Sequence, residues 1–263
     1  MRALVTPESQ GIAAKPTYGI FAVVDEASID SLYENMKSFW FRRHNLQVPD
    51  EDVERVLEDY RQSLSSPIRT KQAQLLRGFC DEKLSENGEL SFIEVGGANG
   101  TTLHYLNSFL DLERVRYLGI EPYDQFRKDH ERYFPNHTVV DCDVEKFCDV
   151  DLESMIETPV TAVLCYGILC MTPCRVTAAF LKQVAQFTDN IIGLDYCFDY
   201  DGDRFSDARE RIFKYHGENG QFYFVHKFGE YLDNIGFKAV KRIPVPYSDG
   251  MYGWETFHFQ RRR

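Results

Sequence analysis

The stretch Leu90-Ser-Phe-Ile-Glu-Val-Gly-Gly-Ala-Asn-Gly100 carries the strongest structural signal in this 263-residue chain. Its apolar part, Phe92 to Val95, has the length of a buried strand, and small residues follow it directly. A helical pattern begins at Thr101. The stretch therefore predicts a strand, a tight glycine turn and a helix. Glycines let the backbone of such a turn approach a ligand closely, and a helix N-terminus offers unpaired N–H groups.

The spacing of the small residues narrows the kind of ligand. A dinucleotide fingerprint, G-x-G-x-x-G, starting at Gly96 would need glycine at the positions of Ala98 and Thr101. The pattern present is acid-x-Gly-x-Ala-x-Gly, which resembles the first motif of class I S-adenosylmethionine-dependent methyltransferases; alanine at its middle position is a tolerated variant. The resemblance implies that S-adenosylmethionine is bound by Glu94, Gly96, Gly97, Ala98, Asn99 and Gly100.

Composition limits the class of protein. Hydrophobic residues make up 43% of the chain and charged residues 27%, which is typical of a globular protein. The net charge of −11 disfavours a nucleic-acid partner, because that binding requires basic residues against phosphates. No apolar run has membrane-spanning length, and no signal-peptide pattern is present. No membrane partner is therefore expected. Seven cysteines without a C-x-x-C pair predict reduced thiols, as in a cytoplasmic protein.

From residue 90 onward, predicted strands and helices alternate, which indicates an α/β fold with a parallel sheet and helices on both faces. Strands are predicted at 91–95, 116–120, 137–140, 160–165, 190–195, 222–225, 237–243 and 254–260. Helices are predicted at 101–110, 124–132, 150–156, 175–187, 205–215 and 227–235.

The last two predicted strands have no helix between them, so we expect an antiparallel hairpin at the C-terminus. Class I methyltransferases depart from Rossmann dehydrogenases in the same way, and the resemblance covers residues 90–260. It implies a Rossmann-like, doubly wound, seven-stranded and mostly parallel sheet in a catalytic domain over 90–263. The hairpin and the incomplete glycine fingerprint argue against a nicotinamide-dependent oxidoreductase, which is the alternative from another enzyme class.

Residues 1–89 are interpreted as an N-terminal arm, 1–22, followed by a helical cap. Apolar residues recur at three- and four-residue steps in three segments, which begin near Ile29, Val53 and Leu75. These helices are expected either to close over the cofactor or to form a homodimer with a second copy of the chain.

Acidic residues follow two predicted strands at the places where the methyltransferase resemblance expects them. Glu121, followed by Pro122, ends the second strand and is predicted to accept hydrogen bonds from both ribose hydroxyls. After the third strand, Asp143 is the candidate for the adenine amino group and Val144 for packing on the ring. Asp141 competes with Asp143 for this role, and the acidic cluster also fits simple helix capping.

Two further strands are expected to end at the same edge of the sheet. The fourth brings Cys165, Tyr166 and Gly167 to the methionyl part of the cofactor, although a plain core strand has the same composition. The fifth brings Asp195, a candidate catalytic base or metal ligand. An acidic run from Asp199 to Glu210 lacks the glycine of a calcium loop, so a solvated loop is expected there; a divalent metal is considered but not expected.

The resemblance implies that the segment of about 197–221 is an insertion that covers the methyl acceptor. It contains His216, the leading candidate for a general base that removes the proton of a hydroxyl acceptor. Aromatic residues in and after this segment suggest an apolar acceptor pocket. The sequence thus predicts a small-molecule methyltransferase, acting on a hydroxyl oxygen or alternatively on nitrogen. A non-catalytic, cofactor-binding regulatory subunit is the alternative outside enzymes.

Overall fold

The computed structural model describes residues 19–44, 67–97, 100–149, 151–197, 211–215, 222–224, 226, 228–246 and 253–263. Two sheets are present in these residues. The larger has seven strands in the order β4-β3-β2-β5-β6-β10-β9. Their bounds are β2 Leu90–Val95, β3 Val115–Ile120, β4 Thr138–Val140, β5 Ala162–Tyr166, β6 Asn190–Cys197, β9 Phe237–Pro246 and β10 Gly253–Arg261.

The first five strands of this sheet are parallel, while β10 runs antiparallel to both β6 and β9. This confirms the predicted seven-stranded Rossmann-like sheet and its C-terminal hairpin. The central strands are buried on both faces, as expected for parallel strands covered by helices. Every residue of β2 and β5 is buried.

Alternate residues of the central strands supply two separate cores. Ile93 and Val95 point into a cluster on one face, together with Phe180 and Phe228 from the helices that cover it. Phe92 points into a second cluster on the other face. The helices of this α/β unit are α3 Thr101–Asn107, α4 Asp124–Tyr133, α5 Leu152–Met155, α6 Cys174–Val184 and α7 Phe228–Asn234.

Two longer helices precede the sheet, α1 Glu26–His44 and α2 Pro67–Asn87, as the apolar periodicity predicts. The helix predicted from Val53 lies outside the described residues. Helix α2 packs on the large sheet, where Leu76 and Phe79 join the cluster that contains Phe92. Helix α1 contributes Tyr33 and Met36 to a smaller cluster with Phe224.

The smaller sheet has the order β1-β7-β8, with β1 Gly19–Val23, β7 Arg211–Tyr215 and β8 Phe222–Phe224, all antiparallel. Two predictions are therefore wrong. Residues 19–22 are a strand and not part of an irregular arm, and residues 211–215 are a strand and not the end of a helix over 205–215. The strand predicted at 222–225 exists but belongs to this second sheet.

Other global expectations concern membranes and cysteines. Among the described residues, no helix has both the length and the apolar character needed to cross a membrane. Among the cysteines whose side chains the structure describes, Cys80, Cys142, Cys165, Cys170 and Cys174 are free thiols, and the first four are buried.

Candidate functional site

The turn after β2 needs its glycines for reasons of backbone geometry and packing. Gly96 has φ of 72° and Gly100 has φ of 83°, the left-handed region that favours glycine. A Cβ atom at Gly96 would overlap the side chain of Ile168, and one at Gly100 would lie 2.7 Å from the ring of Phe134. The space beside Gly96 is thus filled by the protein's own side chain. Ala98 and Asn99 lie outside the described residues.

Glu94 is buried beneath this turn and is held by two hydroxyl groups. Its side chain accepts a hydrogen bond of 2.6 Å from Thr102 Oγ1 and one of 2.5 Å from the Tyr117 hydroxyl. Burial, and then the charge of Glu94, raise the pKa of Tyr117 well above its ordinary value, so this hydroxyl stays protonated and donates. The two bonds fix the carboxyl group at the end of β2.

Glu121 occupies the corresponding position at the end of β3. It is 2% exposed, and its Oε1 accepts a hydrogen bond of 3.0 Å from the backbone N–H of Tyr123. Arg127 donates to its backbone carbonyl at 2.9 Å. Burial, and then the charge of Glu121, raise the pKa of Tyr123. Glu121 and Pro122 both line the cavity described below.

The structure separates the two candidate acids that follow β4. Asp141 is exposed and lies 3.2 Å from Arg127. Asp143 and Val144 line the cavity instead, and Asp143 Oδ1 also accepts a hydrogen bond of 2.9 Å from the Lys146 N–H. Asp143 therefore lies on the cavity wall and also makes the kind of capping hydrogen bond that was the alternative to an adenine-binding role.

These groups surround one cavity of about 350 Å³ at the carboxyl edge of the large sheet, a size in the range of ligand pockets. The glycine turn and the ends of β3 and β4 form one side. Helices α1 and α2 form the other, with the residues Tyr33, Met36, Lys37, Gln72, Ala73 and Leu76. Tyr105, Phe126, Met171 and Tyr223 add further aromatic and thioether surface.

At the end of β5 the predictions divide. Tyr166 and Gly167 line the cavity, and Gly167 has φ of 70°. Cys165 is fully buried one residue earlier, and it does not belong to the cavity wall. Burial, and then the charge of Asp195, raise the pKa of its thiol. Cys165 is thus part of the core strand behind the site.

Asp195 is fully buried and is not part of the cavity wall. Its carboxylate accepts hydrogen bonds from the backbone N–H groups of Leu169, at 2.7 Å, and Cys170, at 3.0 Å. These bonds hold the short 3₁₀ turn Leu169–Met171, which borders the cavity. The position does not fit the predicted base or metal ligand, because an acceptor in the cavity would not meet this carboxylate. The geometry fits a positioning residue.

His226 fixes the same turn from its other side and was not found by sequence reasoning. Its Nε2 lies 2.8 Å from the backbone carbonyl oxygens of both Leu169 and Thr172. Nδ1 lies 3.5 Å from Cys174 Sγ. Burial lowers the pKa of His226 to about 4, so the ring is neutral and Nε2–H is the donor to the carbonyls. A lone histidine in an aromatic segment gave no signal of this contact.

His216, the predicted base, lies outside the described residues, as does the acidic run that begins at Asp199. Within the part of the chain that is described, no group of three His, Cys, Asp or Glu side chains is arranged to hold a metal ion. Six of the cavity residues that sequence reasoning missed lie on α1 and α2. Their apolar periodicity predicts the helices, but it does not show which turns face a cavity.

Comparison with known proteins gives a fold and no sequence family. No protein-family model matches the sequence, and no curated protein matches it. Among solved structures, Burkholderia thailandensis 1,6-didemethyltoxoflavin-N1-methyltransferase, with its acceptor and S-adenosylhomocysteine bound, has a TM-score of 0.59. Its sequence is 13% identical, over 96% of this chain and 99% of that chain.

Two other structures support the same fold. A carbon methyltransferase, CurJ, has a TM-score of 0.55 at 12% identity, over 91% of this chain and 68% of that chain. An amino pentose methyltransferase from Micromonospora echinaspora, with S-adenosylmethionine bound, has a TM-score of 0.52 at 11% identity, over 79% of this chain and 97% of that chain. The chain therefore has the fold of class I S-adenosylmethionine-dependent methyltransferases.

Proposed function

We propose that this protein is an S-adenosylmethionine-dependent methyltransferase that acts on a small molecule. The observation that carries the proposal is the single cavity in which the glycine turn meets Glu121 and Asp143 at the carboxyl edge of the sheet. Ligands of open α/β sheets bind in this position. Two of the methyltransferases with similar folds described above were solved with S-adenosylmethionine or S-adenosylhomocysteine bound, which supports the choice of ligand.

The residues of the cavity fit the parts of this cofactor. Two carboxylates at the ends of adjacent parallel strands suit an adenosine: Glu121 accepts from the ribose hydroxyls and Asp143 from the adenine amino group. Val144 packs on the adenine ring. The turn from Glu94 to Gly100 and the end of β5 at Tyr166 and Gly167 hold the methionyl part.

S-adenosylmethionine supplies an electrophilic methyl group on a sulfonium. The protein then has to align the acceptor with that methyl group and exclude water. The aromatic and thioether side chains of the cavity form an apolar wall that keeps water away from the methyl group. The turn held by Asp195 and His226 fixes the position of part of this wall.

We propose a hydroxyl oxygen as the methylated atom, with His216 as the base that takes its proton. Methylation of a nitrogen is the alternative, supported by the N1-methyltransferase with the similar fold. Residues 1–89 would serve as the cap of the site, and the segment of about 197–221 as the acceptor cover, in a cytoplasmic enzyme. Pairing of two copies through the N-terminal helices is the alternative role of the cap.

Calorimetry with S-adenosylhomocysteine and with NAD tests the cofactor. We expect the first to bind and the second not to. Glu121→Ala should weaken S-adenosylhomocysteine binding by about 1–3 kcal/mol, because charge-assisted hydrogen bonds to the ribose are lost. Asp141→Ala is the matched control, since this acid lies near the same edge but outside the cavity wall. Tight NAD binding without S-adenosylhomocysteine binding would favour the oxidoreductase.

Turnover requires a separate measurement. The protein is incubated with methyl-labelled S-adenosylmethionine and a panel of small hydroxyl and amine compounds, and label transfer is followed by mass spectrometry. A labelled product identifies an enzyme and its methylated atom. His216→Ala should then lower turnover and leave S-adenosylhomocysteine affinity unchanged; full activity of this variant would exclude His216 as the base.

A further inference from the structure

Helix α1 lies outside the α/β unit that carries the recognised motif, yet it supplies part of the cavity. We propose that Tyr33 and Met36 of α1 form the outer wall of the adenosine pocket, opposite Val144, and that Lys37 fastens this wall to the loop after β4. The inference rests on the proposed function and adds a cofactor-binding role for the cap, in addition to covering an acceptor.

Burial and packing place α1 on the adenosine side of the cavity. Tyr33 and Met36 are both only 4% exposed, and both line the cavity. They belong to one apolar cluster, against which Val144 is packed. The ring of Tyr33 also meets Phe224 edge-on, with centroids 6.4 Å apart. The helix therefore lies close to the residue that follows Asp143.

Charge gives a second and independent sign of the same proximity. Burial raises the pKa of Tyr33, and the charges of Glu145 and Asp143 raise it further. The phenol thus lies in the field of the acid assigned to the adenine amino group. Tyr33 stays protonated and remains a flat, neutral surface, which suits a purine ring.

A lysine bridge ties α1 to the loop that carries the adenine residues. Lys37 Nζ lies 3.0 Å from Glu145 Oε2, 2.5 Å from Glu34 Oε1 and 4.5 Å from the centroid of the Tyr33 ring. Glu145 directly follows Val144, and its side chain is only about one-third exposed. The bridge therefore couples the position of Tyr33 to the loop that holds Asp143 and Val144.

The consequence is a pocket closed on two sides by separate parts of the chain. An adenine ring on Val144 would have an aromatic ring and a thioether on its other side, and both add contact area with little polar cost. Because Tyr33 and Met36 belong to the cavity wall, a shift of α1 would remove part of the contact with the ligand.

The test compares the full chain with variants of α1, using S-adenosylhomocysteine and adenosine as calorimetric probes. Tyr33→Ala and Met36→Ala should each weaken the binding of both probes by about tenfold. The factor should be the same for S-adenosylhomocysteine and adenosine, because the wall contacts the adenosine group that both contain. Tyr33→Phe should retain affinity, since the ring and not the hydroxyl makes the contact.

Leu32→Ala is the matched control. Leu32 packs in the same cluster from the same helix but does not line the cavity, so this variant should bind both probes as the wild type does. Melting temperatures establish that each variant is folded. The inference would be overturned if Tyr33→Ala bound adenosine as tightly as the wild type, or if Leu32→Ala lost as much affinity as Tyr33→Ala. The proposed function would still stand in that case, provided that the wild type binds S-adenosylhomocysteine. Failure of the wild type to bind would overturn both.

The bridge is tested by the rate of dissociation. Lys37→Met should release S-adenosylhomocysteine several-fold faster in a stopped-flow chase, and Glu145→Gln should do the same, because α1 opens more often. Lys83→Met removes a comparable lysine bridge on α2, to Glu86, and should not change the rate. An unchanged rate in Lys37→Met would show that the bridge does not fasten the wall.

Discussion

One arginine–carboxylate pair lies within the large sheet and another joins helix α1 to helix α6, and the two pairs differ in burial. In the large sheet, Arg242 of β9 forms a two-pronged contact with Glu255 of β10, whose side chain is 1% exposed. On α1, Asp30 meets Arg175 of α6 where both side chains are more than 60% exposed. The first pair is part of a rigid scaffold, whereas the second can be broken at little cost, as a cap that opens requires.

Lowering the pH should cause the largest loss in the free energy of unfolding. Burial lowers the pKa of His130, His226 and His258 to about 4, from 6.5 in the unfolded chain. The folded state therefore binds fewer protons than the unfolded state between pH 6.5 and 4. Stability is complete above pH 6.5 and falls as the pH is lowered through this window. At pH 5 each histidine should cost about 2 kcal/mol.

Urea unfolding at pH 7 and pH 5 measures this loss. His258→Gln removes one of the three groups, so it should narrow the difference between the two pH values by about 2 kcal/mol. The structure shows most directly for His130 why protonation is unfavourable. Among the described residues, neither of its ring nitrogens has a hydrogen-bond partner, so nothing would stabilise an added proton. Equal stability at the two pH values would contradict the burial of these rings.

Breaking the buried ion pair should have the next largest effect. Arg242→Met leaves the Glu255 carboxylate buried without its guanidinium, which should cost about 3–5 kcal/mol in the free energy of unfolding. The measurement is urea unfolding at pH 7. The double variant Arg242→Met, Glu255→Leu is the control, and it should recover much of the loss, because the uncompensated charge is gone.

The same contrast explains how far the sequence can predict this molecule. The central strands β2 and β5 carry their own signal, since each is a mostly apolar run that is buried on both faces, as Phe92 to Val95 shows. Glu121 directly follows β3, and Asp143 lies in the loop after β4, so their place at one edge could be predicted from topology.

The second sheet carries no such local signal. Gly19–Val23 becomes a strand by pairing with Arg211–Tyr215, about three-quarters of the chain away in sequence. The arm and the helix predicted for these segments were wrong because the pairing is long-range and no periodicity within either segment reveals it. Asp195 was predicted to end its strand, but β6 continues to Cys197, and the atoms that Asp195 meets depend on the fold of the turn Leu169–Met171. The apolar periodicity predicted that Tyr33 lies on a helix, but it did not predict that its side chain lines the cavity.

Breaking the exposed pair on α1 should have the smallest effect. Arg175→Met removes the partner of Asp30 at a position open to solvent, so the free energy of unfolding should fall by less than about 1 kcal/mol. The change should shrink further in 0.5 M salt, roughly three times the physiological ionic strength at which such pairs are already screened. A loss as large as that of Arg242→Met would mean that α1 is part of the scaffold. A small loss is what the proposed cap requires, because α1 could then separate from α6 while the sheet stays folded.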